Sequence, residues 1–316
     1  QGLSTHATFF DYDLDGDLDM YLLNHSVHPN RNYGRGTQRK NFDPISGDRL
    51  YQNNNGYFED VSAKAGIFQG KSGYGLGISV SDLNNDGYPD IYIGNDFFEN
   101  DYLYINQKNG KFKEIISTND EQLGHTTHFS MGNAIADINN DGFTDIFTLD
   151  MLPEDNERQK LLQAPDNFSA FDLNVKSGFH YQYMRNSLQL NNGDGTFSEI
   201  GQLSGVSKTD WSWSILLADF DLDGWKDIFV ANGFFRDTRN VDYRNYFNEN
   251  YGDAKSLNNK QIQEILSKTP RQKITNYFFK NKGDLHFENQ SFKSGINEPS
   301  YSNGASYADL DNDGDL

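Results

Sequence analysis

Five short stretches of the chain carry carboxylates at a spacing suited to one kind of chemistry, the holding of a hard cation. They are Asp11-Tyr-Asp13-Leu-Asp15-Gly-Asp17-Leu-Asp19, Asp82-Leu-Asn84-Asn-Asp86-Gly-Tyr88-Pro-Asp90, Asp137-Ile-Asn139-Asn-Asp141-Gly-Phe143-Thr-Asp145, Asp219-Phe-Asp221-Leu-Asp223-Gly-Trp225-Lys-Asp227 and Asp309-Leu-Asp311-Asn-Asp313-Gly-Asp315-Leu316. Three or four carboxylates within nine residues repel one another unless a cation sits among them. Oxygen-only ligands, without His or Cys, and a glycine at position 6 for the sharp turn point to calcium before magnesium. We expect about one Ca2+ per loop, held by side-chain oxygens at positions 1, 3, 5 and 9 and by the backbone carbonyl at position 7. One such turn alone reads as a solvated acidic surface; five at fixed spacing do not.

These loops account for most of the charge. The chain has 46 acidic against 27 basic residues, a formal charge of −19. Positions 1, 3, 5 and 9 of the loops hold 17 of those acids, and without them the two signs nearly balance. The loops are not EF-hands. Their twelfth positions hold Leu22, Ile93, Thr148 and Val230, where an EF-hand needs a bidentate Glu. Each loop leads into a short β-branched and aromatic run, Asp-Met-Tyr-Leu-Leu or Asp-Ile-Tyr-Ile for example, that reads as a buried strand.

Those strands belong to a longer repeat. Small and apolar residues precede each loop, at 6–10, 77–81, 133–136, 214–218 and 304–308. A second hairpin with an Asn/Gly-rich turn comes next, from Leu50, Leu103, Leu188 and Phe278 to Phe58, Phe112, Phe197 and Phe287. Strand 1, acidic loop, strand 2, connection, strand 3, turn, strand 4 is a four-stranded meander. Repeated, it predicts an all-β chain whose units close radially as the blades of a β-propeller. The units span about 4–67, 74–117, 130–206 and 211–296, with the start of another at 303–316. Four blades are few for a closed propeller of this size, so a piece of a longer chain is expected.

The units differ in length at one place. First aspartates are 71, 55, 82 and 90 residues apart, while the steps from strand 2 to strand 3 are 26, 8, 38 and 46. The variation therefore lies in the 2–3 connection. In a meander the 1–2 and 3–4 turns share one end, and the 2–3 and 4–1 connections share the other, so acidic loops and insertions occupy opposite faces. Helical insertions are expected at about 150–186 and 233–275. A helix over 153–163 would have Asp150 as its cap and Pro153 in its first turn, and one over 256–268 would stop at Pro270. Residues 233–255, rich in Phe, Tyr, Arg and Asn, have a contact-surface composition.

The repeated pattern, Asp-x-[Asp/Asn]-x-Asp-Gly-x-x-Asp-[Ile/Met]-[Tyr/Phe] with Leu-Tyr-x-Asn and Gly-x-Phe, resembles the FG-GAP/VCBS repeats of integrin-α-like propellers. Phe10 to Asn24, Gly94-Asn-Asp-Phe97 and Leu149 to Asp155 resemble one branch of these, the large bacterial surface proteins related to cartilage acidic protein and associated with ASPIC/UnbV modules. The resemblance implies seven blades and a secreted or outer-membrane-anchored location, of which an outer-membrane lipoprotein is one form. It also implies a binding role, and in Bacteroidota-type relatives an association with outer-membrane uptake or assembly machinery.

Other classes fit less well. An acidic chain is a poor binder of phosphate backbones, which argues against nucleic acid. No run of 18 apolar residues is present, and there is no cysteine for disulfides, thiolate metal sites or nucleophilic catalysis. A 14% aromatic content is too high for a disordered acidic tail. No signal peptide is visible, although Gln1 leaves room for a cleaved leader. Two HxxH pairs, His25/His28 and His125/His128, and also His6, map to the face opposite the acidic loops, where they read as ordinary loop histidines. Two functions remain. The first is a calcium-stabilised extracellular or cell-surface scaffold that binds protein or glycan through the inserted loops. The alternative is a carbohydrate-active lyase or hydrolase using acids among Asp96, Glu99, Asp150 and Glu154.

Overall fold

Alternating apolar residues on either side of each acidic loop favour strands that bury one or both faces, and the structure forms them at each of the first four loops. The computed structural model describes residues 2–29, 35–118, 122–162, 168–252 and 256–316. It contains four four-stranded antiparallel sheets, each in simple meander order. The first comprises Leu3–Phe10, Asp19–His25, Arg49–Asn54 and Tyr57–Asp60; the second, Gly75–Ser81, Asp90–Asn95, Tyr102–Asn106 and Phe112–Glu114. The third comprises Asn133–Ala136, Asp145–Thr148, Ser187–Asn191 and Phe197–Glu199; the fourth, Ser212–Ala218, Asp227–Asn232, Tyr277–Asn281 and Phe287–Asn289. A two-stranded parallel pair joins Thr126–Thr127 to Gln182–Tyr183.

Consecutive sheets pack face to face. Tyr21, Leu23 and Leu50 meet Ile91, Ile93 and Tyr104 between the first two sheets. Tyr92 and Leu103 meet Ile146 between the next two, and Phe147 and Leu188 meet Ile228 and Val230 between the last two. Second strands therefore bury both faces, which explains their near-continuous apolar runs. The first strands lie alongside one another in sequence order. Their approach is close enough that a Cβ on Gly77 would stand 2.5 Å from the carbonyl oxygen of Met131.

Several expectations are corrected. Residues 304–308 form no strand: a first strand takes its ladder bonds from a second, and none pairs with them among the described residues. The helix expected over 153–163 spans Asn156–Leu162, and Gln163 lies outside the described residues. Its cap is Asp155, whose carboxylate accepts from the Arg158 amide at 2.8 Å, while Asp150 is buried elsewhere. The helix expected over 256–268 spans Asn259–Lys268, with a reciprocal cap between Asn258 and Gln261. Two further helices, Phe168–Lys176 and Val241–Tyr251, add to these. All four lie in 2–3 connections. His6 is within a first strand rather than a connection. Among the described residues no helix is long and apolar enough to cross a membrane.

Candidate metal loops and the opposite face

The five acidic loops share one internal architecture. In each, the first Asp accepts from the amides of positions 5 and 6: Asp11 from Asp15 and Gly16, Asp82 from Asp86 and Gly87, Asp137 from Asp141 and Gly142, Asp219 from Asp223 and Gly224, Asp309 from Asp313 and Gly314, at 2.7–3.2 Å. The fifth-position carboxylate accepts from the seventh-position amide: Asp15 from Asp17, Asp86 from Tyr88, Asp141 from Phe143, Asp223 from Trp225 and Asp313 from Asp315. The sixth-position glycines all have positive φ, from 88° to 98°, which is why this position holds Gly.

The ninth-position aspartates serve a purpose beyond that expected. Asp19, Asp90, Asp145 and Asp227 are almost wholly buried. One oxygen of each accepts from the loop's second residue, Tyr12, Leu83, Ile138 or Phe220. The other accepts from the last residue of the third strand, Asn106, Asn191 or Asn281, or from Asn53 in the first unit. Burial pushes the carboxyls of Asp19, Asp145 and Asp227 up to about 6 and that of Asp90 up to about 7.

In three loops the carboxylates converge. One oxygen from each of Asp11, Asp13 and Asp15 lies within 4.8 Å of the others, and the same holds for Asp219, Asp221 and Asp227, and for Asp309, Asp311 and Asp313. In the remaining two loops Asn84 and Asn139 take the third position and bond to Asp86 and Asp141. A buried oxygen of Asp13 and another of Asp17 have no hydrogen-bond partner. Burial, then the charges of Asp15 and Asp11, raises the Asp13 carboxyl above its usual range. Unsatisfied buried oxygens that all carry negative charge fit a cation. In the fourth loop Lys280 reaches in from the third strand to Asp221 and to Asp223, the latter at 2.9 Å. In the first, Gln52 at the matching position donates to Asp13 at 2.7 Å.

At the opposite end the chemistry is not repeated. Each HxxH pair is split between separate partners. His28 bonds Asp43 at 2.9 Å, while the His25 ring meets Tyr74 at 5.2 Å. His125 accepts from Arg185 at 2.9 Å beside Glu199, whereas His128 faces Gln182 and Phe98. Burial pushes His128 down to about 4, so it is neutral at pH 7. Of the four acids, Glu99 is paired with Arg39 at 2.8 Å in the interior, and Glu154 meets the Tyr277 hydroxyl at 3.2 Å. Asp150 is buried and accepts from the amides of His128, Phe129 and Met151. Asp96 is half-buried, and the negative charge of Asp150 helps to raise it. An aromatic belt crosses this face, through Tyr74, Phe97, Phe129, Trp211 and Phe234. Arg239 bridges its middle, 4.9 Å from the Phe129 ring and 5.7 Å from that of Trp211.

The model of an FG-GAP-like repeat matches residues 11–93, 82–148 and 165–230. No curated protein sequence matches the chain. Among solved structures, an exotype rhamnogalacturonan lyase is 13% identical with a TM-score of 0.37, covering 72% of this chain and 38% of its own. A rhamnogalacturonan lyase of Bacillus licheniformis is 13% identical with a TM-score of 0.36, covering 72% and 39%. An Agrocybe aegerita lectin that recognises non-reducing terminal N-acetylglucosamine is 14% identical with a TM-score of 0.34, covering 90% and 64%. The chain thus spans about two fifths of the length of the two lyases it matches.

Proposed function

As this chain belongs to the FG-GAP-like repeat family, we propose that it is a calcium-stiffened β-propeller scaffold at the cell surface or outside the cell, whose 2–3 connections engage a protein or glycan partner. One observation carries this reading. The acidic loops and their internal hydrogen bonds recur in every unit at one end of the sheets, while the insertions, which differ in length and content from unit to unit, all lie at the other. Repetition at one end is what a structural cation requires, and variation at the other is what recognition requires.

Calcium would be held in each loop by the side chains at positions 1, 3 and 5, with the ninth-position Asp and the carbonyl at position 7 completing the set. Bound calcium supplies the positive charge that relieves carboxylate repulsion and draws the loop closed. Association with outer-membrane machinery, and seven blades in the full protein, are part of the same reading.

A carbohydrate-active enzyme is the second reading, favoured by Asp96 and Asp150 lying close enough for the charge of Asp150 to raise Asp96. It is weaker because Asp150 already spends both oxygens on three backbone amides and is fully buried. An acid so committed is poorly placed to accept or deliver a proton to a substrate.

Purification in calcium with identification of stoichiometric co-purifying chains, alongside glycan binding, tests the scaffold. Elemental analysis and melting with and without EDTA test the metal. A constant partner or glycan, bound divalent ion and a lower melting temperature in EDTA are expected. An unchanged melt with no divalent ion would overturn the calcium assignment, and turnover of a glycan abolished by Asp96→Asn would replace the scaffold by the enzyme.

A further inference from the structure

The residues of the insertion end can be sorted by asking which of them the repeat itself needs. Thirteen residues after each first Asp comes Asn24, Asn95, Asp150 or Asn232, and each takes part in closing its 2–3 connection. The next position is different in every unit, His25, Asp96, Met151 and Gly233, so no structural rule calls for an acid there. Asp96 is the only acid among them. Phe97 comes after it with φ of 63°, in the left-handed region where a bulky side chain is strained, and none of its counterparts Ser26, Leu152 and Phe234 has a positive φ.

The Asp96 carboxylate has hydrogen-bonding capacity to spare. Its one hydrogen bond among the described residues comes from the amide of Phe97 at 2.7 Å, to Oδ1. The Arg239 guanidinium also has capacity to spare. It lies against Phe129 and Trp211, its one hydrogen bond is a 3.6 Å contact from Nη1 to the Met151 sulfur, and no carboxylate is within 4 Å of it among the described residues. The two groups share one stretch of the aromatic belt: the Phe97 ring, next to Asp96, lies 6.3 Å from that of Phe129, over which the Arg239 guanidinium sits at 4.9 Å. Burial pushes the Asp96 carboxyl up to about 7, with Asp150 adding to the rise, while the Phe97 amide and Arg239 oppose it. Burial depresses Arg239 and the charges of Asp96 and Asp150 resist. Beneath the guanidinium, Trp211 is 8% exposed, and its indole N–H has no acceptor.

We propose that Asp96, Arg239 and Phe97 form a subsite for one neutral, polyhydroxylated sugar residue of a glycan. This rests on the scaffold reading and names the ligand of its variable end. The choice of a neutral ligand comes from charge. A carboxylated or sulfated chain would meet Asp96 and a protein of net charge −19, and an ammonium group would meet Arg239. A pair of adjacent hydroxyls offers a donor to Asp96 and an acceptor to Arg239 at once. Both protein groups are held before the ligand arrives, Arg239 by its two rings and Asp96 by the Phe97 turn, which lowers the ordering cost of binding.

The test is electrophoresis of the calcium-loaded chain through native gels containing dextran, galactomannan, starch or, as the acidic comparison, polygalacturonate. Asp96→Asn, which keeps the shape, and Arg239→Lys, which keeps the charge but not the planar fork, run beside it, with melting temperatures measured in parallel to show that folding is kept. Retardation by a neutral polysaccharide, weakened at least tenfold in both variants at unchanged melting temperature, is expected. Retardation that survives both substitutions overturns the subsite but leaves the scaffold reading standing. Retardation by polygalacturonate alone, or no retardation by any polysaccharide, also overturns it. If a co-purifying protein is instead lost from both variants, the site docks protein and the sugar subsite is overturned. If the chain binds neither glycan nor protein, the scaffold reading falls with it.

Discussion

Asp90 accepts a hydrogen bond from the amide of Asn106 at 2.8 Å, and the Asn106 side chain donates at 2.8 Å to the carbonyl of Tyr12 in the preceding unit's acidic loop. The same link recurs from Asn191 to Leu83 and from Asn281 to Ile138, each at 2.8 Å. Adjacent loops are therefore stitched together through third-strand asparagines. Asn85 and Asn140 add a second stitch, donating to the carbonyls of Gly142 and Gly224.

Asn106 is 2% exposed, and its side chain also donates to Pro89 and accepts from Lys108. Asn106→Ala strips partners from buried carbonyls of two units. We expect a loss of about 2–3 kcal/mol in urea unfolding, where an exposed asparagine such as Asn55, changed to Gly, would lose little. An unchanged midpoint would mean that the loops are held by something other than these bonds.

Lys280 places an ammonium between Asp221 and Asp223, where a cation of the fourth loop would sit. These two carboxylates hold it well above its ordinary range, and its hydrogen bond depresses Asp223. On the calcium proposal, the lysine and the ion would compete for the same oxygens. Lys280→Met should make one calcium site tighter in calorimetric titration and lower the melting temperature in EDTA. Equal affinities in the two proteins would show that Lys280 swings clear at no cost.

Asp48 and Asp101 are buried acids at equivalent positions, each bonded to a tyrosine hydroxyl, Tyr21 or Tyr92, and to a backbone amide, Asn24 or Asn95. Burial pushes both up to about 7. Their folded values lie above the ordinary carboxylate value, so folding takes up protons between about pH 4 and 7, and the associated stability is lost as pH rises through 7. The third and fourth units place Asn186 and Asn276 at this point, accepting the same kind of amide at 2.8 Å. Asp48→Asn with Asp101→Asn should therefore flatten this fall, raise the melting temperature at pH 8 and add up to about 4 kcal/mol per site to the unfolding free energy there. A slope unchanged in the double variant would assign the pH dependence to other groups.

Much of this arrangement is legible in the residues themselves. The DxDxDG spacing, the apolar runs after it and the asparagine that ends each third strand, Asn53, Asn106, Asn191 or Asn281, lead to four meanders and to the opposition of loops and insertions, because strand period and turn chemistry are local properties. That asparagine is visible as a repeated letter, but the hook of Asn106, Asn191 or Asn281 onto Tyr12, Leu83 or Ile138 depends on how neighbouring sheets stack, and that is not local. Asp96 illustrates the other limit. In sequence it is one acid among four on that face. Its exceptional character comes from a left-handed Phe97 and from Arg239, 143 positions later in the chain. The Val241–Tyr251 helix falls within the insertion expected to be helical at 233–275, but its bounds are not legible there because it lacks an apolar stripe and buries little beyond Tyr243.

Arg158 is the fastening between two of the insertions. From the helix Asn156–Leu162 it pairs in the interior with Asp210, with Nη2 at 2.9 Å, and donates from Nη1 to Asp237 at 3.3 Å and Gln272 at 2.8 Å. Asp210, like Phe97, has a left-handed backbone, with φ of 65°. Removing the guanidinium would leave two buried carboxylates facing one another, a change that typically costs about 3–5 kcal/mol. Lysine could replace the charge but not the fork that reaches three partners at once. Arg158→Ala, and to a smaller degree Arg158→Lys, should speed amide exchange in 156–162 and 237–251 while the acidic loops at the far end keep their protection. If exchange rose equally in the loops, the two ends of the sheets would be energetically coupled, and the separation of a rigid end from a variable one would have to be abandoned.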